Sequence, residues 1–185
     1  MKSNNLTPDD QLPDILIGKN AVVTDHRGSF RRLLDVDQIN LESFGFEKFK
    51  MCQANCSTNL KKGTWRGFHA QKEPYSETKI VICTVGKILD FALDIRTTSP
   101  TYGYATSKIL SSENGMFLII PKGFAHGYLT LEDNSSVTYF VDEKYNPAYE
   151  MGVNVFDKSL NLNISHLIKD LSEKDRGWPD LDRFI

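Results

Sequence analysis

The sequence has few cysteines, no long hydrophobic run and no excess of charge of one sign, and each absence excludes a class of protein. Its three cysteines are odd in number and form no CxxC pair, which argues against a disulfide framework or a zinc knuckle. No stretch approaches the roughly 20 apolar residues of a membrane-spanning helix. The polar residues 1–10 lack the apolar core of a signal peptide. We therefore expect a protein of the reducing cytoplasm that does not enter the membrane.

The charges of the chain nearly cancel, with 22 basic and 24 acidic residues. A basic surface built for nucleic acid is therefore not expected, although local sites for anions remain possible. The hydrophobic fraction of 40% is ordinary for a soluble globular protein. At 185 residues the chain is expected to form a single domain, residues 1–185.

Short strand-like segments dominate the sequence between residues 49 and 145. Residues 79–85 and 88–95, separated by Gly86-Lys87, predict a hairpin. Helical spacing is confined to residues 35–47 and to the charged tail, 164–185. Further strands are predicted in residues 14–24 (two short strands), 104–110 and 116–120, and as a pair at 128–131 and 136–141. The sequence therefore predicts an all-β sandwich or barrel of the jelly-roll type with short C-terminal helices.

Two carboxylates interrupt the second strand of the predicted hairpin. Asp90 and Asp94 fall on the same strand face as Ile88 and Ala92, because side chains alternate along a strand. This face could be a wet outer surface or a polar-lined barrel interior. The alternation alone does not separate the two.

The stretch Thr64-Trp-Arg-Gly-Phe-His-Ala-Gln71 concentrates groups that can do chemistry. His69 can accept and return a proton near neutral pH, and Arg66 can hold an anion through two parallel hydrogen bonds. In a regular strand these two residues would point to opposite faces, because they are three positions apart. A bulge at Gly67 would let both serve one cavity.

Taken singly, the other candidate residues have ordinary structural explanations. Lys79 could be a strand-edge charge, Tyr139 a rim aromatic and Asp175 a helix-end carboxylate. His69 and His126 could bind a metal, but a metal site needs three or four protein ligands with recognisable spacing. The HxH followed by Glu that is typical of a metal-binding barrel is missing. We therefore expect neither a metal nor another cofactor.

The order of the motifs is more informative than any one of them. Together they resemble the dTDP-4-dehydrorhamnose 3,5-epimerase family, metal-free jelly-roll (cupin-type) enzymes that act on nucleotide-linked 4-keto-6-deoxysugars. The resemblance extends from about residue 14 to residue 178 and implies a double-stranded β-helix barrel. The motifs are Asp25-x-Arg27-Gly28-x-Phe30, Gln53-x-Asn55-x-Ser57, Arg66-Gly-Phe-His69-x-Gln71, Lys79-Ile-Val, Ser99-Pro-Thr-Tyr-Gly103, Pro121-x-Gly-Phe-Ala-His-Gly127, Tyr139-x-x-x-x-x-Tyr145 and Ser172-x-Lys-Asp175.

The resemblance also implies roles for individual residues. His69 would be the base that removes a proton beside the ketone, and Asp175 would orient it. Lys79 would neutralise the oxyanion that forms at C4, and Tyr139 would return a proton from the opposite face of the sugar ring. These four residues form the expected catalytic set.

A second set of residues is expected to bind the nucleotide diphosphate sugar. The resemblance implies a homodimer, in which Arg27 and Phe30 reach the nucleotide partly across the interface. Arg66 suits the diphosphate by charge and shape, and Lys62 is a further candidate for the same group. The whole expected binding set is Arg27, Phe30, Gln53, Asn55, Arg66, His126 and Tyr145.

The sequence departs from the family pattern at a few positions. Arg31-Arg32 stands where a glutamate near position 32 is usual, which could alter the nucleotide that is accepted. Trp65 replaces a smaller aliphatic residue, and Ala70 replaces an aromatic one. Both of these changes are expected to reshape the sugar pocket.

Two other functions remain open at the level of the sequence. A nucleotide-sugar 3,4-ketoisomerase on a similar barrel would use the same enediol chemistry but would move the carbonyl group. A non-catalytic sugar-nucleotide-binding protein, or a metal-dependent cupin with His69 and His126 as ligands, is the other alternative. The sequence leaves open which nucleotide and sugar are bound, and whether C3, C5 or both carbons invert.

Overall fold

The computed structural model describes residues 6–37 and 39–184, and almost all the regular structure in this part of the chain is β-strand. The strands form two large sheets and one two-stranded hairpin. Their bounds are β1 Thr7–Pro8, β2 Leu16–Lys19, β3 Val22–Asp25, β4 Gly28–Arg31, β5 Gln53–Asn59, β6 Trp65–Gln71, β7 Lys79–Val85, β8 Lys87–Asp94, β9 Ala105–Ser111, β10 Met116–Ile120, β11 Phe124–Thr130, β12 Ser135–Val141 and β13 Glu150–Gly152.

The two large sheets are interleaved along the chain. One has six strands in the order β1-β2-β10-β7-β12-β5, and the other has five in the order β13-β6-β11-β8-β9. The strands pair antiparallel, and the chain crosses repeatedly from one sheet to the other. The remaining strands, β3 and β4, pair only with each other in the described residues. The predicted all-β jelly-roll, cupin-like fold with short C-terminal helices is confirmed.

Two of the predicted strand pairings are wrong. The sequence predicts a hairpin of β7 with β8, but β7 lies in the six-stranded sheet and β8 in the five-stranded sheet. The predicted pairing of residues 128–131 with 136–141 fails in the same way, because β11 and β12 lie in opposite sheets. Gly86, at φ +71°, occupies the turn between β7 and β8. Short connections suggest neighbours, but β7, β8 and β11 are buried on both faces, so core packing decides which sheet each one joins.

The apolar side chains form three layers. Between the sheets, Val81 of β7 packs in one cluster with Ile88 of β8. Outside the five-stranded sheet, Trp65 and Phe68 pack beneath the C-terminal segment. Outside the six-stranded sheet, side chains of the segment after β4, among them Leu33, Ile39 and Phe49, cover its strands. Each sheet is therefore covered on both faces, which explains the continuous apolar runs in its central strands.

The helix predicted within residues 35–47 is wrong for the described part of that segment. A single 3-10 turn, Glu42–Phe44, is present, and Gln38 lies outside the described residues. The partial helical spacing arises because Ile39 and Leu41 are buried against the outer face of the six-stranded sheet while the chain remains irregular. Apolar side chains are needed at these positions to pack against the sheet, whether or not the chain is helical there.

The C-terminal segment forms short helices, as the sequence predicts. Two 3-10 turns, Lys158–Leu160 and Ser165–Leu167, precede α1 at Glu173–Arg176, and a third follows at Leu181–Phe184. The hydroxyl of Ser172 caps α1 by accepting a 3.0 Å hydrogen bond from the backbone N–H of Asp175. None of the helices in residues 6–37 and 39–184 is long and apolar enough to cross a membrane.

Asp90 and Asp94 point into the protein and not to solvent, since both side chains are fully buried. The carboxylate of Asp94 accepts hydrogen bonds of 2.9 and 2.6 Å from the guanidinium of Arg96. It also accepts bonds of 2.6 Å from the hydroxyls of Ser99 and Thr101. Two residues of the Ser-Pro-Thr-Tyr-Gly motif thus satisfy a buried charge, which gives that motif a structural role.

The environment of Asp94 predicts an acid-sensitive contribution to stability. Burial acts to raise the pKa of Asp94, but the hydrogen bonds from Arg96, Ser99 and Thr101 outweigh it and lower the pKa to about 2. Because the folded pKa lies below the unfolded one, the carboxylate stabilises the protein above about pH 4. That contribution, up to about 2 kcal/mol, is lost as the pH falls toward 2.

We therefore expect Asp94→Asn to lower the free energy of unfolding at pH 7 by about 2 kcal/mol or more. Below pH 4 the stability of the variant should also fall less than that of wild type, because the variant has no carboxylate at position 94 to protonate. Urea denaturation across the pH range measures both effects. Asp10→Asn, at an exposed position, is the control and should match the wild type. Equal stability of Asp94→Asn and wild type at pH 7 would contradict the assignment.

Candidate active site

A cavity of about 430 Å³ lies between the two sheets, and its wall is built from alternate residues of their strands. Because side chains alternate along a strand, every second residue of β5 and β12 faces the same side. The six-stranded sheet supplies Gln53, Asn55, Ser57, Lys79, Tyr139 and Val141. The five-stranded sheet supplies Arg66, His69, Ala70, Gln71, His126, Tyr128 and Glu150, and loops add Glu77, Glu143 and Tyr145.

The bulge predicted at Gly67 is present. His69 pairs with His126 and Arg66 pairs with Tyr128, so three steps along β6 match two along β11. Gly67 has φ +124°, and a Cβ there would lie 2.6 Å from the carbonyl oxygen of His126. Only glycine fits this backbone without displacement. The bulge turns Arg66 and His69 into the same cavity.

His69 and Asp175 form a tight pair, although they are 106 residues apart in the chain. His69 Nε2 lies 2.5 Å from Asp175 Oδ1, and the Asp175 side chain is only 5% exposed. The indole N–H of Trp178 donates to the same oxygen at 3.3 Å. Burial acts to raise the pKa of Asp175, but its interactions with His69 outweigh burial and lower the pKa.

The protonation of this pair follows from that pKa. An ionised Asp175 can only accept hydrogen bonds, so His69 Nε2 carries the hydrogen that it donates. The second ring nitrogen of His69, Nδ1, is then left with a lone pair in the neutral imidazole. His69 is therefore set up to accept a proton, with a carboxylate behind it to stabilise the resulting imidazolium.

Lys79 is held against the cavity wall by a carboxylate. Its ammonium group donates to one carboxylate oxygen of Glu77, and the side-chain amide of Gln71 donates to the other. The side chains of Lys79 and Glu77 are each 9% exposed. The oxygen of the Gln71 amide accepts a 2.6 Å hydrogen bond from the backbone N–H of Asn146. These contacts connect β6, β7 and the loop after β12.

Tyr139 enters the cavity from the sheet opposite to His69. It lies on β12, where it pairs with Asn55, whereas His69 lies on β6 of the other sheet. Burial raises the pKa of Tyr139, and the negative charge of Glu77 raises it further. The phenol therefore remains protonated at neutral pH. An acceptor and a donor of protons thus flank the cavity on two sides.

His126 and Asp90 form a second buried pair next to the first. His126 Nε2 lies 2.7 Å from Asp90 Oδ1, and Asp90 is fully buried. Burial raises the pKa of Asp90, although the neighbouring His126 acts in the opposite direction. The pair explains one of the two carboxylates on β8, because the barrel interior at this point is polar.

Hydrogen bonds also position the predicted binding residues at the mouth of the cavity. The Nε of Arg66 donates to Asn59 Oδ1 at 2.7 Å. The backbone N–H of Tyr145 donates to Gln53 Oε1 at 2.8 Å, and its hydroxyl donates to Glu150 at 2.7 Å. The hydrogen bond to Glu150 raises the pKa of Tyr145 to about 12.

Three predicted binding residues lie outside this cavity. Arg27 is exposed on the β3–β4 hairpin, where its guanidinium pairs with Asp25 at 2.7 Å. Phe30, on the same hairpin, is 70% exposed. Lys62 is exposed in the loop before β6 and is not among the residues of the wall. The structure thus brings together Gln53, Asn55, Arg66, His126 and Tyr145 of the expected binding set.

The departures from the family pattern have different outcomes. Ala70 lines the cavity, in agreement with the prediction. The prediction for Trp65 is wrong, because its ring packs edge-on against Phe68 and Phe91 in the cluster outside the five-stranded sheet. The guanidinium of Arg31 donates to the backbone carbonyl of Cys83 at 3.1 Å, away from the cavity.

Sequence reasoning missed several acidic and aromatic residues of the wall. Glu77 lies in the loop before β7, where strand alternation does not apply. Tyr128 lies two positions after His126 on β11, so strand alternation would have placed it on the same side. Glu143 and Glu150 lie in or next to loops, where no periodicity applies. Among the described residues, no three His, Cys, Asp or Glu side chains form a cluster that could hold a metal.

The chain is similar to known proteins over nearly its whole length. The sequence model of the dTDP-4-dehydrorhamnose 3,5-epimerase family matches residues 9–183. The Shigella flexneri protein named dTDP-4-dehydrorhamnose 3,5-epimerase is 38% identical over 178 residues, which cover 95% of this chain and 97% of that one.

Two crystal structures show the same fold. The dTDP-6-deoxy-D-glucose-3,5-epimerase of Legionella pneumophila, in complex with dTDP-4-keto-L-rhamnose, has a TM-score of 0.87 and 31% identity, covering 96% of this chain and 93% of that one. A 3'-monoepimerase of Streptomyces bikiniensis, in complex with dTDP-quinovose, has a TM-score of 0.86 and 26% identity, covering 95% and 87%. The chain therefore belongs to the dTDP-4-dehydrorhamnose 3,5-epimerase family, a family of isomerases, as its motifs predict.

Proposed function

We propose that this protein epimerises a nucleotide-linked 4-keto-6-deoxyhexose at C3, at C5 or at both carbons, in deoxysugar biosynthesis. One observation carries the proposal. His69, backed by Asp175, and Tyr139 line one cavity from opposite sheets, and the ammonium group of Lys79 lies in the same wall. Epimerisation beside a ketone needs these three groups, because a proton must leave one face of the ring and return to the other.

The first step removes a proton from the carbon beside the C4 ketone. Nδ1 of His69 takes the proton, and the electron pair of the C–H bond moves toward the carbonyl oxygen to form an enolate. The carboxylate of Asp175, hydrogen-bonded to Nε2, stabilises the imidazolium that results. Proton transfer to a base positioned in this way typically accelerates a reaction by about 10²–10⁴-fold.

The enolate must then be stabilised where its charge develops. Lys79 would lie near the C4 oxygen, so that its ammonium group neutralises the oxyanion as it forms. Fixed charges aimed at such an oxygen are usually the largest single contribution to catalysis. The enclosed wall around Lys79 strengthens this effect, because little water competes for the charge.

The second step returns a proton from the other face. The phenol of Tyr139 gives its proton to the carbon that His69 deprotonated, and the enolate electrons return to form the new C–H bond. The configuration is inverted, and the site is left with a phenolate and an imidazolium. Exchange of a proton with solvent, or between these two groups through water, restores the starting state.

The remaining wall residues suit a nucleoside diphosphate. The guanidinium of Arg66 can bind a diphosphate through two parallel hydrogen bonds, and Gln53, Asn55, His126 and Tyr145 line the same cavity. The relatives from Legionella and Streptomyces were crystallised with dTDP-linked sugars, which favours dTDP as the nucleotide. We extend the proposal to a cytoplasmic homodimer, in which the exposed hairpin of one copy brings Arg27 and Phe30 to the other.

Incubation with 4-keto-6-deoxyhexoses linked to dTDP and to other nucleotides, in heavy water, tests the proposal. We expect deuterium at C3, C5 or both, together with an inverted centre, in NMR spectra of the product. The relatives include both a 3,5-epimerase and a 3'-monoepimerase, so the position of the label decides between these outcomes. A shifted carbonyl with no inverted centre would instead favour the ketoisomerase, and no label with any of the sugars would contradict the proposal.

A further inference from the structure

Glu77 connects two other residues of the cavity wall, Lys79 and Gln71. One oxygen of its carboxylate accepts a hydrogen bond from Lys79 Nζ, and the other accepts one from Gln71 Nε2. The Glu77 side chain is 9% exposed and lines the cavity. A carboxylate buried this far from water needs partners, and both of its partners belong to the cavity wall.

Lys79 has a particular need for such a partner. An ammonium group on a flexible four-carbon stem can adopt many positions, and electrostatic stabilisation of an oxyanion depends on one of them. Glu77 lies two residues before Lys79, in the loop that leads into β7, and its carboxylate contacts the ammonium group of Lys79 at the start of that strand. Their contact restricts the ammonium group to the cavity wall before any substrate arrives.

We propose that Glu77 is the positioning residue of this site, which holds Lys79 and Gln71 in place. The inference rests on the epimerisation proposed above. Glu77 takes no part in bond making, and it acts through the residues that it holds and through its charge.

The negative charge of Glu77 is one of a few influences on the pKa of Tyr139. Besides Glu77, the charged and titratable groups that act on Tyr139 are Arg66 on β6 and Cys56 on β5. Burial raises the pKa of Tyr139 most, Glu77 raises it further, and Arg66 lowers it. Removing the charge of Glu77 should therefore lower this pKa, and a smaller fraction of the enzyme would carry the proton that Tyr139 must donate.

The test compares Glu77→Gln with wild type. In protein labelled with ¹³C at Cζ of tyrosine, the signal of Tyr139, assigned with Tyr139→Phe, should titrate at a lower pH than in wild type. The alkaline limb of kcat should move in the same direction. Glu132→Gln is the matched control, because it neutralises the partner of Lys87 in a surface ion pair far from the cavity. Unchanged titration of Tyr139 together with a wild-type kcat in Glu77→Gln would overturn the inference.

Glu77→Asp tests the positioning separately and keeps the charge. The shorter side chain does not reach Lys79 and Gln71 together, so kcat should fall about tenfold or more, with little change in KM. The titration of Tyr139 should stay close to wild type. A wild-type kcat in this variant would overturn the positioning role, even if Glu77→Gln does not fold. The titrations use protein without substrate, so a wild type inactive on every sugar tested would contradict the proposed function and not the effect of Glu77.

Discussion

Replacing His69 by alanine is expected to remove nearly all proton exchange beside the ketone, with kcat lower by about 10²–10⁴-fold. The imidazole lines the cavity, and its Nε2 is held by Asp175 at 2.5 Å, which leaves Nδ1 as the nitrogen that can accept a proton. Without it the C–H proton has no positioned acceptor. Deuterium incorporation from heavy water, followed by NMR in single-turnover mixtures, measures the loss directly.

A control shows whether the loss is specific to the site. His166→Ala removes an exposed histidine in the C-terminal segment and should exchange deuterium at the wild-type rate. KM should change less than kcat in His69→Ala, since Arg66 and the other binding residues remain. Exchange by His69→Ala at the wild-type rate would show that another group is the base and would remove the central step of the mechanism.

Replacing Tyr139 by phenylalanine is expected to separate exchange from inversion. His69 should still remove the proton and return a deuteron to the same face, so exchange should persist within about tenfold of wild type. Formation of the inverted product should fall by about 10²-fold or more, because no donor remains on the opposite face. One NMR experiment in heavy water reports both quantities, the label and the configuration.

Tyr104→Phe is the matched control for this variant, since Tyr104 is 66% exposed and does not line the cavity. It should be indistinguishable from wild type in both exchange and inversion. If Tyr139→Phe inverts the centre as fast as wild type, the donor is another residue or water. If exchange and inversion fall together to the level of His69→Ala, Tyr139 is needed for deprotonation as well.

Much of the fold could be predicted because strand formation is local. The positions of β2, β10 and the short C-terminal helices follow from apolar alternation, proline and capping residues that are adjacent in the sequence. The partners of the strands could not be predicted in the same way. β7 and β8 have only Gly86 between them and still lie in opposite sheets, because both are buried on two faces and could pair with several neighbours.

The parts of the site that lie in sequence motifs could be predicted. The parts that depend on contacts between residues far apart in the chain could not. The roles proposed for His69 and Lys79 follow from motif order, whereas the contacts that Glu77 makes with Lys79 and Gln71 exist only in the folded chain. Trp65 is the opposite case, a residue that the sequence places near the site but that lies outside it. It adjoins Arg66 in sequence, but alternation along β6 turns its ring into the opposite layer.

The sequence by itself determined the types of the elements, the order of the motifs and, through that order, the family. These depend on side-chain alternation, turn residues and short spacings, which are properties of neighbouring residues. Only the tertiary structure decided that Asp90 and Asp94 are buried, that a bulge at Gly67 turns Arg66 and His69 to one side, and that Glu77 holds Lys79. Burial, charge pairing and close approach depend on residues far apart in the chain, so they exist only once both sheets have packed together.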